Sequence, residues 1–266
     1  MNFRILAVGD VVGKPGLSFL RNNLSAFRIE NKVDFIVVNG ENAAETGKGL
    51  SPDDADTIFA AGADVITTGN HIFRRSNIYN YLDDKSAILR PANYSGECPG
   101  HGYSIENIGG VRVLCINVLG TVFLESHSSP FETVGAILKR EEGCYDFSVC
   151  DIHAEATSEK NAFAYFFDGK IDFIFGTHTH IQTNDLRVLP GGTAFITDVG
   201  MTGPEDSVIG VKAAQSIKRF TTGMPTRYDV ADGDCILCGA MVELDRTDSK
   251  VLSTKLIKIG GSCENS

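Results

Sequence analysis

Seven short apolar, β-branched runs constrain this chain most, at residues 3–8, 34–38, 64–67, 111–118, 147–150, 172–175 and 193–197. Several are almost continuously apolar, as expected of strands buried on both faces. Between them lie helix-like stretches at 15–30, 51–61, 75–84, 131–142, 158–167 and 208–220. Pro15 suits a first helical turn, and Ser51-Pro52-Asp53-Asp54 is a helix-start signal. The alternation predicts an α/β fold with mostly parallel pairing and right-handed crossovers. The end of the chain differs. Runs at 235–245 and 250–259 flank Arg246-Thr247-Asp248-Ser249, a hairpin-turn signal, so a second, more antiparallel sheet is expected there. The length suits one large domain over 1–260, with 261–266 as a C-terminal tail.

The formal net charge of −10 argues against a general nucleic-acid binder or a polybasic membrane surface. It does not exclude a phosphate substrate, because bound divalent cations can reverse the local field. Seven scattered cysteines, an odd number, favour reduced thiols over a disulfide framework. Cys235 and Cys238 form a CxxC inside an apolar run without a second pair, and read as buried structural thiols. The N-terminus runs straight into a strand pattern, and no apolar run is long enough to span a membrane. A cytoplasmic location, with no membrane partner, is the expectation.

The polar residues of interest sit where strands end. The first strand exits into Gly9-Asp10, the second into Gly40-Glu41-Asn42, and the third into Gly69-Asn70-His71. Later exits carry Asp151-Ile152-His153 and Gly176-Thr177-His178-Thr179-His180. In an open α/β sheet, ligands bind at the carboxyl ends of the strands, so these groups are expected to converge. Imidazole, carboxylate and amide oxygen suit zinc, iron or manganese. So many donors exceed the needs of one four-coordinate ion, and two metals sharing a carboxylate fit better.

Each piece alone has a structural reading. Asp10 could cap the next helix. Glu41-Asn42 and Asn70-His71 could be turn pairs, and a lone His153 is more often structural than a ligand. The segment Gly9–Gly16 resembles a phosphate loop, but its glycine spacing is one short and Pro15 stands where Ser or Thr should follow Lys14. His178-x-His180 is the strongest local signal: on an extended segment, residues two apart point to one side. His101 and His127 lie in polar loops and read as solvated.

These segments resemble the calcineurin-like metallophosphoesterases, and within them the bacterial YmdB-type branch. The superfamily pattern GDxH, GDxx, GNH(D/E), H and GHxH is matched by Gly9-Asp10-Val11-Val12, Gly40-Glu41-Asn42-Ala43, Gly69-Asn70-His71-Ile72, His153 and Gly176–His180. Val12, Glu41, Ile72 and the inserted Thr177 depart from the superfamily and mark the branch. Further matching stretches are 89–93, 151–160 and 189–210, so the resemblance covers nearly the whole chain. One stretch fits less well: family members carry Arg where Thr121 stands, and 125–130 is altered.

The resemblance implies a two-sheet sandwich flanked by helices. It implies one metal held by Asp10, Glu41 and His180, and another held by Glu41, Asn70, His153 and His178. Iron or manganese is the family expectation; ligand types also allow zinc. A metal-bridging hydroxide would attack phosphorus, Asn42 would hold the phosphoryl oxygens, and His71 would serve as general acid. The implied substrate is a cyclic nucleotide, with 2′,3′ leading, 3′,5′ second and an RNA end third. A homo-oligomer is also implied. Two other readings stand beside this one: a non-catalytic nucleotide or RNA sensor built on a metal site, and a metal-dependent amidohydrolase. The latter places its HxH after the first strand, whereas here strand one ends in Asp10. A nicotinamide-binding fold is disfavoured because no GxGxxG follows strand one.

Overall fold

Alternate side chains of the central strands face opposite layers, and both faces are apolar. In the computed structural model, which describes residues 2–125 and 127–262, Phe3, Ile5 and Ala7 point into one core while Leu6 and Val8 point into another. This period of two, apolar on both sides, is what makes the strand sequences continuous hydrophobic runs.

In chain order the elements are β1 (Asn2–Val8), β2 (Asp10–Val11), α1 (Gly13–Asn31), β3 (Phe35–Asn39), α2 (Pro52–Ala60), β4 (Val65–Thr67), α3 (Tyr79–Asp84), β5 (Ile88–Leu89), β6 (Tyr103–Ile108) and β7 (Val111–Leu119). There follow α4 (Pro130–Arg140), β8 (Phe147–His153), α5 (Thr157–Phe166), β9 (Phe173–Thr177), β10 (Arg187–Val188), β11 (Ala194–Ile196), β12 (Met201–Pro204), α6 (Ala213–Thr222), β13 (Cys235–Asp245) and β14 (Val251–Gly261). The first sheet runs β2-β12-β13-β1-β3-β4-β5, with β14 also on β13; the second runs β10-β11-β9-β8-β7-β6. Its central β7, β8, β9 and β11 pair in parallel, as do β1, β3, β4 and β5 of the first.

The two sheets pack face to face. Phe3, Phe35 and Val65 of the first meet Phe147, Val149 and Phe173 of the second, and the Phe3 and Phe147 rings stack at 5.1 Å. Truncating either ring to alanine would cost about 3–5 kcal/mol. Helices α1, α2 and α3 cover the outer face of the first sheet through Leu20, Leu24, Ile58 and Leu82. Helices α4 and α5 cover the second through Val134, Ile137, Phe163 and Ala164. The two-sheet sandwich flanked by helices is therefore the fold. Among the described residues, no helix is long and apolar enough to cross a membrane.

Several local expectations are corrected. The terminal hairpin does not found a second sheet: β13 inserts between β12 and β1 of the first. Gly260 and Gly261 belong to β14, pairing with Ile236 and Cys235; the rest of the expected tail, residues 263–266, lies outside the described residues. Cys235 is disulfide-bonded rather than a thiol, whereas Cys238 is a buried free thiol. Helix α1 starts at Gly13 with Val12 as its N-cap and no side-chain cap, so Asp10 does not cap it. Ser51 does cap α2, in a reciprocal capping box with Asp54. The stretch 75–84 is helical only from Tyr79, after two single-turn 3-10 segments. The stretch 208–220 yields α6 only from Ala213; before it, Val208 and Val211 bridge in a turn.

Candidate metal centre

The carboxyl ends of both sheets meet at one end of the sandwich. Asp10, Glu41 and Asn70 arrive on β2 and on the loops after β3 and β4, all in the first sheet; His153, His178 and His180 arrive on β8 and on the loop after β9, in the second. His153 is the last residue of β8 rather than a residue beyond it.

Around Glu41 the donors crowd. Glu41, His153 and His178 offer ligand atoms that lie within 4.8 Å of one another. His153 Nε2 is 3.1 Å from Glu41 Oε1, 3.0 Å from His178 Nδ1 and 3.3 Å from Asn70 Oδ1. The tautomers follow from the outer partners. His153 Nδ1 lies 2.8 Å from Thr177 Oγ1, whose own proton goes to Asp151 at 2.7 Å. The hydroxyl therefore accepts, and His153 turns the Nε2 lone pair inward. His178 Nε2 faces the Glu155 carboxylate at 3.0 Å, so its inward Nδ1 is also a lone pair. Two imidazoles, a carboxylate and an amide oxygen thus converge on one buried point, a donor set of the kind that can hold a cation.

A proton and a cation would compete for this point: burial opposes a charge on His153, but Glu41 outweighs it and lifts the imidazole to about 9, so an ion has to displace the Nε2 proton before that nitrogen can act as a ligand. Burial and the neighbouring His153 charge push His178 down to about 3. Burial would raise Glu41, yet His153 and His71 hold it well below the usual carboxylate range.

The second group is looser. His180 Nε2 lies 3.7 Å from Asp10 Oδ1. His180 Nδ1 donates to the Ile209 carbonyl at 2.8 Å, which again leaves Nε2 as the inward lone pair. Asp10 accepts the His178 backbone N–H through Oδ2 at 3.2 Å. Its Oδ1 is buried and has no hydrogen-bond partner among the described residues. Burial raises the Asp10 pKa, against the pull of His180 and His153. The residues fit metal ions: an orphaned carboxylate oxygen, inward lone pairs, and space kept by Gly69. A Cβ on Gly69 would lie 2.3 Å from both Glu41 Oε2 and His153 Nε2.

Asn42 ties the groups together. Its Nδ2 lies 3.2 Å from His180 Nε2 and 3.4 Å from Glu41 Oε1, and its Oδ1 lies 3.0 Å from His71 Nδ1. With Ile72 in place of an acid, Asn42 is thus the partner that orients His71. His71 also stands 3.4 Å from Glu41 Oε1 and lines a cavity of about 410 Å³ shared with His178 and His180. His101 and His127 are exposed, as expected of loop residues, although His127 stands edge-on to Tyr94 at 5.9 Å.

A family model described as YmdB-like protein matches residues 6–257. The chain belongs to the YmdB-like family. A relative named 2′,3′-cyclic-nucleotide 2′-phosphodiesterase, from Bacillus subtilis (strain 168), is 40% identical over 256 residues, covering 96% of this chain and 97% of the relative. Two solved structures have nearly the same fold. One, described as a novel phosphatase from Mycoplasma pneumoniae, is 35% identical with a TM-score of 0.91, covering 98% of this chain and 94% of that one. The other, a hypothetical protein from Thermus thermophilus, is 34% identical with a TM-score of 0.90, covering 97% and 99%.

In this YmdB-like chain the HxH segment is not extended. His178 and His180 have φ of 96° and 64°, left-handed backbone that side chains rarely adopt. Each such residue costs about 1–3 kcal/mol unless its surroundings hold it. Asp198 does so, accepting from Thr179 N–H at 3.1 Å, Thr179 Oγ1 at 2.7 Å and Lys160 Nζ at 2.8 Å. Lys160, fully buried, also donates to the Thr177 carbonyl at 2.7 Å. The two imidazoles converge because a strained loop is pinned, not because of strand geometry. Sequence reasoning assigns no individual role to Thr177, Asp151, Glu155, Lys160 or Asp198. The matching stretches 151–160 and 189–210 contain four of them, and that clustering is the available signal.

Proposed function

We propose that this protein is a binuclear metal-dependent phosphodiesterase that opens 2′,3′-cyclic nucleotides to monoesters. The observation that carries the reading is the set of three imidazoles, each with its outer nitrogen engaged and its inner nitrogen turned into the site: His153 Nε2 toward Glu41, His178 Nδ1 toward His153 and His180 Nε2 toward Asp10. The name of the Bacillus relative supports the substrate class.

Asp10, Glu41 and His180 would hold one ion, and Glu41, Asn70, His153 and His178 the other, with Glu41 shared. Bound there, two cations supply Lewis acidity toward phosphoryl oxygens and acidify an attacking water. Oxygen and nitrogen donors suit iron, manganese or zinc alike; the choice of iron or manganese rests on the family resemblance. The chain's own residues do the rest. Asn42 Oδ1 accepts from the His71 Nδ1–H, so the doubly protonated ring can give its Nε2 proton to the departing ribose oxygen and be left as the neutral imidazole. The Asn42 amide N–H, beside Glu41 and His180, is placed to meet a phosphoryl oxygen.

The test uses purified protein, elemental metal analysis, and assays of 2′,3′-cyclic AMP, 3′,5′-cyclic AMP and an RNA ending in a 2′,3′-cyclic phosphate. Two metals per chain are expected, together with chelator-sensitive opening of the 2′,3′ ring that manganese or iron restores. Metal-loaded protein that leaves all three intact would end the reading. Preference for the 3′,5′ ring or the RNA end would move the substrate.

A further inference from the structure

A second cavity, of about 510 Å³, adjoins the metal centre on the side of Asn70. The apolar wall of the cavity that holds His71 is mainly aliphatic, formed by Val12, Val208, Ile209 and Val211, with Phe220 and Tyr228 also on it. Here Phe73, Tyr94 and Phe123 supply three aromatic rings, with Arg74, Glu125 and His127 beside them. The Phe73 and Tyr94 rings lie 5.7 Å apart. Phe123 is 89% exposed and has a φ of 62°, left-handed backbone that is unfavourable for a bulky side chain.

The loop that carries Phe123 is anchored behind its tip. Asn93, buried, donates to the carbonyls of Leu119 at 2.7 Å and Ser128 at 3.0 Å, and accepts the Leu119 N–H at 2.9 Å. Glu159 accepts the Thr121 N–H at 2.7 Å and its hydroxyl at 2.8 Å. An anchored loop thus presents a large bare ring to water at a cavity that Asn70, a proposed metal ligand, also lines.

We propose that this aromatic cavity is the nucleobase subsite. The base stacks among Phe73, Tyr94 and Phe123, and the ribose places the cyclic phosphate past Asn70 at the metal centre. Every base has a π face, so the site accepts all four but favours the larger purines. This rests on the phosphodiesterase reading and deepens it.

The experiment compares kcat/KM of metal-loaded protein on 2′,3′-cyclic AMP, 2′,3′-cyclic CMP and the base-less 1-O-methylribose 2,3-cyclic phosphate. For the unaltered protein, the adenine substrate should exceed the base-less one by about 10-fold or more. Phe123→Ala and Tyr94→Leu should each remove most of that advantage, chiefly through KM, while leaving the base-less substrate unchanged. Phe123 is so exposed that its truncation tests the subsite without touching the core. An advantage preserved in both variants overturns the proposal. So does an advantage lost in Tyr228→Leu, which lines the other cavity. If the unaltered protein opens none of the three, the phosphodiesterase reading itself has failed; if it opens them equally, only the subsite has.

Discussion

The two halves of the candidate metal centre are built to different standards. The Glu41 half is held from behind at nearly every point: Thr177 and Asp151 fix His153, Glu155 fixes His178, and Asn39 accepts the Glu41 N–H at 3.1 Å. The Asp10 half has one anchored imidazole and a carboxylate oxygen that lacks a partner among the described residues. A ligand oriented by an outer hydrogen bond is ready for its ion, whereas an orphaned one becomes satisfied only when the ion arrives. The contrast predicts a tight site beside a weaker one within a single centre.

Removing the shared carboxylate should erase the contrast. Glu41→Gln is expected to lower metal content at both positions and turnover by about 10³-fold, beyond the loss of a single stabilising donor; elemental analysis and 2′,3′-cyclic nucleotide assays check it. Full activity with two metals would remove Glu41 from the bridge. Lys160→Met comes next. It leaves Asp198 charged and buried behind the HxH loop, an expected loss of about 3–5 kcal/mol in denaturant unfolding. The smaller lever acts on one half only. Glu155→Gln should weaken the tighter ion about 10- to 100-fold in chelator competition while sparing the weaker one; equal weakening of both would dissolve the distinction. The smallest effect lies far from the centre. Ser51→Ala breaks the α2 capping box and should cost about 1 kcal/mol in stability with metal affinity unchanged.

Sequence reading reached the centre more completely than its supports. Asp10, Glu41, Asn70, His153, His178 and His180 lie at or just past strand ends, and strand ends are visible as breaks in apolar runs. Parallel pairing gathers the donors of each sheet at one edge, but the meeting of the two edges and the bend that turns His178 and His180 inward come from packing. The supports obey no period. Lys160 meets Asp198 across 38 positions, and Asn39 meets Asp151 across 112. Such pairs are settled by which buried polar atoms come within reach, which only the packed sheets decide. Short strands escaped for a similar reason: β2 and β12 are too brief to show alternation and form by pairing with each other. The terminal hairpin was legible as a hairpin, but its insertion beside β1 depends on a register that no local pattern encodes. The left-handed His178 and His180 were invisible too, because nothing in the residue type announces a pinned bend.

Asp10, Glu41 and Asn70 belong to one sheet, and the three histidines to the other. The centre is therefore a seam, and neither sheet carries a usable set of ligands alone. Asn117 of β7 stitches the same seam, donating to the carbonyls of Thr68 and Leu89 in the first sheet at 2.8 and 2.9 Å. A shift of the sheets by an ångström would separate these donors while leaving the hydrogen bonds within each sheet intact. Affinity for the proposed ions would thus serve as a gauge of how well the two layers are docked, with strain along their common face read out at the proposed centre.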